Sequence, residues 1–299
     1  MHPVTDLYAT VTNQIIAALE SGTPPWVSPW TRSPSDMIPS NLTTGRSYRG
    51  INVLLLNLQQ MTQGYTRNRW LTFQQARAAG ARIRRGETGT RVVFFKLLER
   101  DEHLAPQPML GQSRRVIPLL RSFTVFNAAQ VDGLPEHLCE APMAPAAWDP
   151  VAAAENVIHS SGAHIRHGGN SAFYSPSLDL IQMPPPAAFE APVSYYGTIL
   201  HELTHWTGHT SRCNRLQSSR QHIEAYAFEE LVAEMGSAFL SGHCGISATL
   251  HHASYISTWL QALRDDRRLV FTAASMAQRA TDYLLPKEQT AAAEAEVAA

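Results

Sequence analysis

The residues with the clearest chemistry are the histidines and the glutamate of HELTH, which are His201, Glu202 and His205. Residues four apart lie on the same face of an α-helix, so the two imidazoles can bind one metal ion. Glu202 lies beside them, where its carboxylate can take a proton from a water molecule activated by the metal. The alternative is a helix of the hydrophobic core in which both histidines are merely hydrogen-bonded. In that case the carboxylate of Glu202 would lie on an apolar helix with no function to offset the free-energy cost of its burial. We therefore predict a hydrolytic metal centre with Glu202 as the catalytic base.

A third ligand must come from further along the chain, because a catalytic zinc ion takes three protein ligands and keeps one position open. The metzincin spacing would place a histidine six residues after His205, and Ser211 occupies that position. His209 is four residues after His205, but it follows Gly208, which is expected to end the helix. The segment EAYAFEELVAEMGSAFL is the better source of the ligand.

This segment predicts a second helix, and three of its residues are candidate ligands. One face of it carries Glu230, Ala233, Glu234 and Ser237, and its small residues would let the helix approach a neighbour closely. Glu230-Leu-Val-Ala233-Glu234 is similar to the Glu-x-x-Ala-Asp or Glu-x-x-Ala-Asn pattern of zincins that use two histidines and one glutamate. We predict Glu230 as the third ligand and Glu234 as a partner of a ligand histidine. Glu229 and Glu234 remain alternatives for the ligand itself.

Zinc (Zn²⁺) is the expected metal for this donor set, although manganese (Mn²⁺), cobalt or nickel could also occupy it. Tyr226 and Tyr196 are the candidates for stabilising a developing oxyanion. The strand expected in SAFYSPSLDLIQMP precedes the metal helix, and an edge strand in this place can bind an extended peptide by backbone pairing.

The elements that must position this centre follow from hydrophobic spacing. In the second half we expect a helix near 151–160, two or three short strands in AHIRHGG and SAFYSPSLDLIQMP, and helices over 191–208, 221–241, 249–265 and 267–284. In the first half we expect helices over 5–20, in GINVLLLNLQQM and in WLTFQQARAAG, the last with Thr72 as a cap. RVVFFKLL and RSFTVFNAAQV are rich in Val and Phe and predict strands.

The charge distribution divides the chain into two parts. Residues 1–132 carry 15 Lys and Arg against 8 Asp and Glu, a net charge of +7, and residues 133–299 carry 9 against 17, a net charge of −8. The Pro- and Ala-rich stretch at 133–150 predicts a linker between them. We therefore expect one domain over 1–132, a second over 151–286 and a tail over 287–299, with a surface loop at 101–115.

Composition excludes several classes of protein. Hydrophobic residues make up 44% of the 299 residues, so disorder and collagen-like structure do not fit. No apolar run reaches the roughly 20 residues that span a bilayer, and the first residues lack the pattern of a secretory signal. Three widely spaced cysteines, Cys139, Cys213 and Cys244, are typical of a protein of the reducing cytoplasm.

Aromatic and arginine side chains interleave along the basic half, which is the pattern of a groove that binds single-stranded nucleic acid by stacking. Taken singly, four aromatic residues are better explained as part of a hydrophobic core: Trp26, Trp30, Trp70 and Phe73. A core role does not as readily explain the net charge of +7 on residues 1–132. No signature for reading base edges in a duplex is present. The predicted DNA contacts are Arg46, Tyr48, Arg49, Arg67, Arg69, Trp70, Arg82, Arg84 and Arg85.

Long stretches of the chain resemble the ArdC-type antirestriction proteins. In the first half these are ALESGTPPWVSPW, PSNLTTGRSYRGINVLLLN, WLTFQQARAAGARIRRGETGTRVVFFK and FTVFNAAQVDGLP, and the same domain begins the TraC-type plasmid primases. In the second half they are AFYSPSLDLIQMP, YYGTILHELTHWTGHTSRCNR and YAFEELVAEMGSAFL. The family usually has Arg-Leu-Asn-Arg after HWTGH, and this chain has Arg212-Cys213-Asn214-Arg215, which leaves the ligands intact.

The resemblance implies an α+β protein of two domains: a small α+β domain that binds single-stranded DNA, then a mainly helical zincin-like metallopeptidase domain with a short antiparallel sheet. Such proteins are carried by conjugative plasmids and are associated with protecting incoming DNA from host restriction. The resemblance supplies no substrate, which could be a restriction subunit, a protein crosslinked to DNA, or none. Two alternatives therefore remain: a non-enzymatic DNA-binding shield with a structural metal, and a DNA-tethered protease that acts on DNA–protein crosslinks.

Overall fold

A computed structural model of the chain describes residues 4–26, 36–99, 116–139, 150–215, 222–247 and 255–285. Its helices are α1 (Val4–Glu20), α2 (Ile51–Gln63), α3 (Phe73–Ala78), α4 (Glu136–Cys139), α5 (Pro150–Ser161), α6 (Pro192–Thr207), α7 (His222–Cys244), α8 (Ile256–Asp265) and α9 (Leu269–Leu284). Its strands are β1 (Ser40–Asn41), β2 (Arg69–Thr72), β3 (Arg82–Ile83), β4 (Thr90–Glu99), β5 (Val116–Asn127), β6 (Val131–Asp132), β7 (His164–His167), β8 (Phe173–Ser175) and β9 (Leu180–Met183). The expected loop at 101–115, the tail and most of the linker lie outside the described residues.

The expected α+β, two-domain architecture is confirmed, with one local difference in the first half. Trp70 and Leu71 belong to strand β2 rather than to a helix, because they lie between β1 and β5 in a four-stranded sheet of order β1-β2-β5-β4. Thr72 nevertheless caps α3 as expected: its hydroxyl accepts a hydrogen bond from the backbone N–H of Gln75, and the Gln75 side chain accepts one from the N–H of Thr72.

The second half places a three-stranded sheet of order β7-β9-β8 against helix α6. The pairing of β8 with β9 is antiparallel, as expected, whereas β7 runs parallel to β9. The buried side chains of Ile181 and Met183 on β9 pack with Ile199 and Leu203 on α6. No helix among the described residues is both long enough and apolar enough to cross a membrane.

One of the hydrophobic clusters in the described residues joins the two halves. Ile15 on α1 and Leu54 on α2 pack in the same buried cluster as Leu231 on α7 and Trp259 on α8. Trp26 meets Trp259 edge to face, with ring centroids 5.9 Å apart. The second half is therefore built directly against the first two helices of the chain.

Helices α6 and α7 approach each other closely, as the small residues on α7 predict. A Cβ atom built on Gly236 would lie 2.5 Å from the Thr204 Cγ2 methyl on α6. One residue further on, the Ser237 hydroxyl donates a 3.0 Å hydrogen bond to the backbone carbonyl of Gly197. This contact sets the distance between the two helices that carry the candidate ligands.

We expect Gly236→Ala to lower the free energy of unfolding by about 1–3 kcal/mol, since the extra methyl overpacks a buried contact. It should also weaken metal binding, because α7 would have to move away from α6. Thermal unfolding and zinc titration of the purified variant measure the two effects. Adding Thr204→Ser, which removes the Cγ2 methyl, should restore both in part, because the hydroxyl oxygen still lies 2.9 Å from the added Cβ atom.

Gly242→Ala is the matched control. Gly242 also lies on α7 but away from the ligands, and its added Cβ would lie 2.5 Å from the Cδ1 atom of Ile38. This control should lose stability and keep its metal affinity. Equal loss of metal affinity in both variants would contradict the role assigned to the contact between Gly236 and Thr204.

Candidate metal centre

The side chains of His201, His205 and Glu230 converge at the contact between α6 and α7. The two imidazole Nε2 atoms lie 3.1 Å apart. Glu230 Oε2 lies 3.5 Å from Nε2 of His201, and Glu230 Oε1 lies 3.4 Å from Nε2 of His205. Within the described residues these three form the one group of His, Cys, Asp or Glu side chains that could hold a metal ion.

This donor set fits a divalent transition metal. Zinc lies about 2.0–2.2 Å from nitrogen and oxygen ligands, and one ligand atom from each of the three side chains lies within 4.8 Å of the other two. The ligands are two imidazole nitrogens and one carboxylate oxygen, the set found in zinc hydrolases. His209 is not part of the group, and its Nδ1 atom lies 2.8 Å from the Ser211 hydroxyl.

Glu229 lies against the outer nitrogen of a candidate ligand histidine. Its Oε1 atom is 3.2 Å from His205 Nδ1. A carboxylate in this position orients the imidazole and increases its basicity. Glu234 is buried one turn further along α7, and its predicted contact with a histidine stays a prediction.

Arg215 holds Glu229 in place and is a site residue that sequence reasoning missed. Its guanidinium donates to both carboxylate oxygens of Glu229, at 2.8 and 3.0 Å. It also donates to the hydroxyl of Thr207 and the backbone carbonyl of Thr204 on α6. The available signal was the motif Arg212-Cys213-Asn214-Arg215, which places an arginine just after the metal helix.

The pKa shifts of His205, Glu229 and Glu230 show that the centre stabilises positive charge on the imidazole and negative charge on the carboxylates. Burial alone would lower the pKa of His205, but hydrogen bonds with Glu229 and Glu230 outweigh it and raise that pKa to about 10. Burial would raise the pKa of both carboxyl groups, yet both are held below their usual value, at Glu229 by His205 and Arg215 and at Glu230 by His201 and His205. Two ionised carboxylates thus attract a cation, which is either a proton on His205 or a metal ion.

Glu202 lies beside the ligands without belonging to them. It is 7% exposed, and no hydrogen bond or ion pair within the described chain engages its carboxylate. Of the two tyrosines considered from the sequence, Tyr196 is buried, and its hydroxyl donates to Glu155 at 2.7 Å. Tyr226 is 57% exposed, and its ring lies 5.8 Å from that of Tyr255 between centroids.

The other arginine of the motif, Arg212, anchors the β8–β9 hairpin to the end of α6. Its guanidinium binds both carboxylate oxygens of Asp179, at 2.5 and 3.0 Å, and lies 3.8 Å from the ring centre of Trp206. The edge strand β8 is thereby fixed relative to the metal helix.

Several residues predicted to contact DNA are structural instead. Trp70 is fully buried, and its indole N–H donates to Asn68, so its ring cannot stack on a base. Arg69 is also buried, bound to the Ser40 hydroxyl and paired with Asp36 at 3.4 Å. Arg49 pairs with Asp282 of the second half at 2.5 Å, but its side chain is 37% exposed, so its predicted DNA contact stays a prediction.

The other predicted contacts remain accessible to different degrees. Arg82, Arg84 and Arg85 are exposed, although Arg84 is bound to Glu87 at 2.8 Å. Arg46, Tyr48 and Arg67 are partly buried, and Tyr48 packs against the cluster that contains Trp70.

The aromatics of the first half separate into core and surface residues. Trp26 and Trp70 are core residues, while Phe73 is 57% exposed at the start of α3. Trp30 lies outside the described residues. Phe73 is therefore the residue of this group that departs from the expected core position.

Comparisons with known proteins match both halves. Residues 5–126 match the family described as the N-terminal domain of anti-restriction factor ArdC, and residues 152–276 match the zincin-like metallopeptidase family. The crystal structure of the antirestriction ArdC protein from R388 plasmid in its metal-free form is 41% identical, with a TM-score of 0.78 and coverage of 96% of this chain and 98% of that chain. Its Mn(II)-bound structure is 40% identical, with a TM-score of 0.76 and coverage of 95% and 98%.

Two curated relatives differ greatly in length. The uncharacterized protein y4eC of Sinorhizobium fredii (strain NBRC 101917 / NGR234) is 40% identical over 96% of this chain and 94% of its own length. A DNA primase TraC of Escherichia coli is 40% identical over 93% of this chain, which spans only 27% of that relative. The similarity to the Mn(II)-bound structure and to the zincin-like metallopeptidase family supports a divalent metal in this chain.

We expect zinc binding at pH 8 to release about one proton from His205, because its pKa of about 10 keeps the metal-free imidazole protonated at that pH. Metal affinity should therefore rise with pH until the pH passes about 10. Glu229→Gln removes a charge that raises this pKa, so it should release less than one proton. It should also weaken zinc about 10- to 100-fold, since the ligand loses its orienting carboxylate.

Calorimetry in two buffers of different ionisation enthalpy measures both quantities. Glu234→Gln on the same helix is the comparison variant. A larger loss of affinity in Glu234→Gln than in Glu229→Gln would reverse the roles assigned to these two glutamates.

Proposed function

This chain belongs to the ArdC family of antirestriction proteins, and on that premise we propose that it protects plasmid DNA entering a host by two linked actions. The first half binds single-stranded DNA, and the second half hydrolyses a peptide bond at the centre formed by His201, His205 and Glu230. The observation that carries the proposal is the group of His201, His205 and Glu230, with the buried carboxylate of Glu202 close enough to raise the pKa of His205.

The chemistry assigned to the chain's own residues follows from their positions. A bound divalent metal, for which zinc is our candidate, supplies a Lewis acid that polarises a carbonyl and makes water more acidic. Glu202 accepts a proton from the attacking water and returns it to the leaving amine. Glu229 and Arg215 keep the imidazole of His205 in position throughout. The edge strand β8, fixed by Arg212, is our candidate for binding the peptide in extended form.

A purely structural metal is the main competing function. Structural zinc sites are closed by four protein ligands, whereas catalytic sites have three. The described residues supply three, which favours catalysis over a passive DNA-binding shield. The three cysteines are free thiols, in keeping with an enzyme that works in the reducing cytoplasm.

For the DNA-binding surface we propose the exposed side of α3 and β3. These elements pack on each other through the cluster that contains Ala76 and Ile83. Phe73 offers a ring for base stacking, and exposed arginines offer contacts for phosphates. The members of this surface, which we call the α3–β3 face, are Phe73, Arg77, Arg82, Arg84 and Arg85.

A groove beside α1 and α2 is the second candidate surface. It has a volume of about 1240 Å³, and Arg91 is the sole charged residue among its described lining residues. Threonine and glutamine side chains and the aliphatic side chains of Leu55, Leu58 and Met61 form much of its wall. We favour the α3–β3 face, because it combines an exposed aromatic ring with several cations.

Glu202→Ala should abolish protection of a conjugating plasmid in a restricting recipient and leave transfer into a non-restricting recipient unchanged. The reason is that the variant loses the proton acceptor but keeps every ligand. Conjugation frequencies measure this outcome, and zinc titration and a gel shift with single-stranded DNA should match the wild type. Glu190→Ala, at an exposed glutamate, is the control and should protect fully.

Full protection by Glu202→Ala would overturn the catalytic proposal in favour of the shield. An equal drop in both recipients would point to a protease that clears proteins crosslinked to plasmid DNA. Loss of DNA binding in this variant would contradict the division of labour between the two halves.

Replacing Arg82 and Arg85 by alanine should weaken binding to oligo-dT, since each substitution removes a cation that binds a phosphate. The slope of log K against log salt should fall by about 0.7 for each arginine replaced. Phe73→Ala should weaken binding without changing this slope, because stacking releases no counterions. Fluorescence anisotropy over a range of salt concentrations measures both effects.

Arg279→Ala, at an exposed arginine on α9, is the matched control for charge. If the double variant binds like this control and Arg91→Ala alone weakens binding, the groove beside α1 and α2 is the DNA site instead.

A further inference from the structure

The groove beside α1 and α2 is large enough for a segment of a polymer. Its volume of about 1240 Å³ exceeds the roughly 300–1,000 Å³ of pockets that enclose a small molecule. Its described walls come from α1, the turn that follows α1, helix α2 and residues 88–91, which lead into strand β4. The groove therefore has helices on one part of its wall and the start of a β-strand on another.

Strand β4 presents unpaired backbone groups to this groove. It lies at the edge of the four-stranded sheet, beside β5. The backbone N–H of Val93 donates to the side chain of Asn52 on α2, and the carbonyl of Val93 accepts from it, both at 2.8 Å. In an antiparallel strand the N–H and C=O of one residue point to the same side, and this side alternates along the strand. Arg91 lies two residues before Val93, so its N–H and C=O also point away from β5.

The edge of β4 is covered at Val93 but open at Arg91. Within the described residues, no side chain takes at Arg91 the place that Asn52 takes at Val93. Arg91 lines the groove, together with Leu55 and Leu58 of α2. An open strand edge is a template for pairing with another extended chain. The groove thus combines a free backbone edge with side-chain walls.

The side chains of the groove favour a peptide over single-stranded DNA. Arg91 is the sole charged residue among the described lining residues, and none of these residues is aromatic. Single-stranded DNA is bound by several cations and by rings on which bases stack. Leu55, Leu58 and Met61 instead offer apolar contacts. Arg91 is exposed and forms no ion pair with the described part of the chain, so its guanidinium can bind one carboxylate.

We propose that this groove binds an extended peptide segment of a partner protein, which adds as a strand to the open edge of β4. Backbone hydrogen bonds with Arg91 position the segment, as in other cases of strand addition. Alternate side chains of the segment contact the apolar wall of α2, and an acidic residue pairs with Arg91. The site goes beyond the proposed function, because neither the metal centre nor the α3–β3 face contributes to it.

A synthetic peptide with matched N-methylated forms tests the proposal. The probe is the fluorescein-labelled hexapeptide Ser-Val-Glu-Val-Ser-Val, in which apolar and polar side chains alternate, so that its register against an apolar wall is fixed. One form is N-methylated at the first, third and fifth residues, and the other at the second, fourth and sixth. Fluorescence anisotropy with the full-length protein measures binding.

Strand addition predicts opposite results for the two methylated forms. Only alternate N–H groups of an added strand face β4. One form should therefore bind at least about 10-fold more weakly than the parent peptide, since it loses two or three backbone hydrogen bonds. The other form should bind within threefold of the parent, because its methyl groups face away from β4.

Substitutions of Arg91 separate the cation from the backbone. Arg91→Ala should weaken the parent peptide about 2- to 5-fold, the effect of one exposed ion pair, and leave a peptide with alanine in place of glutamate unchanged. Arg91→Pro also removes the outward N–H, at an edge position where proline is tolerated. It should weaken both peptides at least about 10-fold. Arg279→Ala is the control and should bind both like the wild type.

Several results would overturn the proposal. Absence of saturable binding at about 1 mM parent peptide would remove the site. Equal affinities of the two methylated forms would exclude strand addition, and this comparison holds even if Arg91→Pro does not fold. Displacement of the peptide by oligo-dT, together with weaker oligo-dT binding by Arg91→Ala, would assign the groove to DNA instead.

Discussion

The metal centre depends on keeping two adjacent carboxylates, Glu229 and Glu230, ionised in a largely buried place. Burial of unpaired charge is strongly unfavourable, so Arg215 and the two imidazoles can be understood as compensation for it. Arg215 neutralises Glu229 permanently and ties it to α6 through Thr204 and Thr207. The charge of Glu230 is left to the two imidazoles, which explains why the site favours a proton or a metal ion at the point where they meet.

This compensation works only because α6 and α7 lie close together. Gly236 has no side chain where it faces Thr204, and the Ser237 hydroxyl bonds to the backbone of Gly197. A larger side chain at either position would separate the ligands of one helix from the ligand of the other. The metal centre is therefore as much a property of helix packing as of the ligands themselves.

The same packing joins the two halves of the chain. Helix α7 carries Glu230 on one side and contributes Leu231 and Met235 to a core shared with α1 and α2. The rings of Trp26, Trp259, Tyr255 and Tyr226 contact one another in this order. Aromatic contacts therefore run from the first half to helix α7, which carries Glu230. If α1 or α2 changed position when DNA binds, helix α7 and its candidate ligand Glu230 would have to adjust to the new packing.

The sequence alone determined the parts of the protein that are encoded locally. A four-residue spacing places His201 and His205 together, and the hydrophobic period predicts α1, α2 and the helices of the second half, since both depend only on the geometry of one helix. The prediction of a helix at Trp70 and Leu71 is wrong. A short apolar run is too brief to show whether its hydrophobic residues repeat with the spacing of a strand or of a helix. Only the tertiary structure decided which glutamate meets which imidazole, that Arg215 closes the chain of charges, and that Trp70 is buried while Phe73 is exposed. Each of these depends on residues far apart in the sequence, whose contacts arise only when the helices and sheets pack.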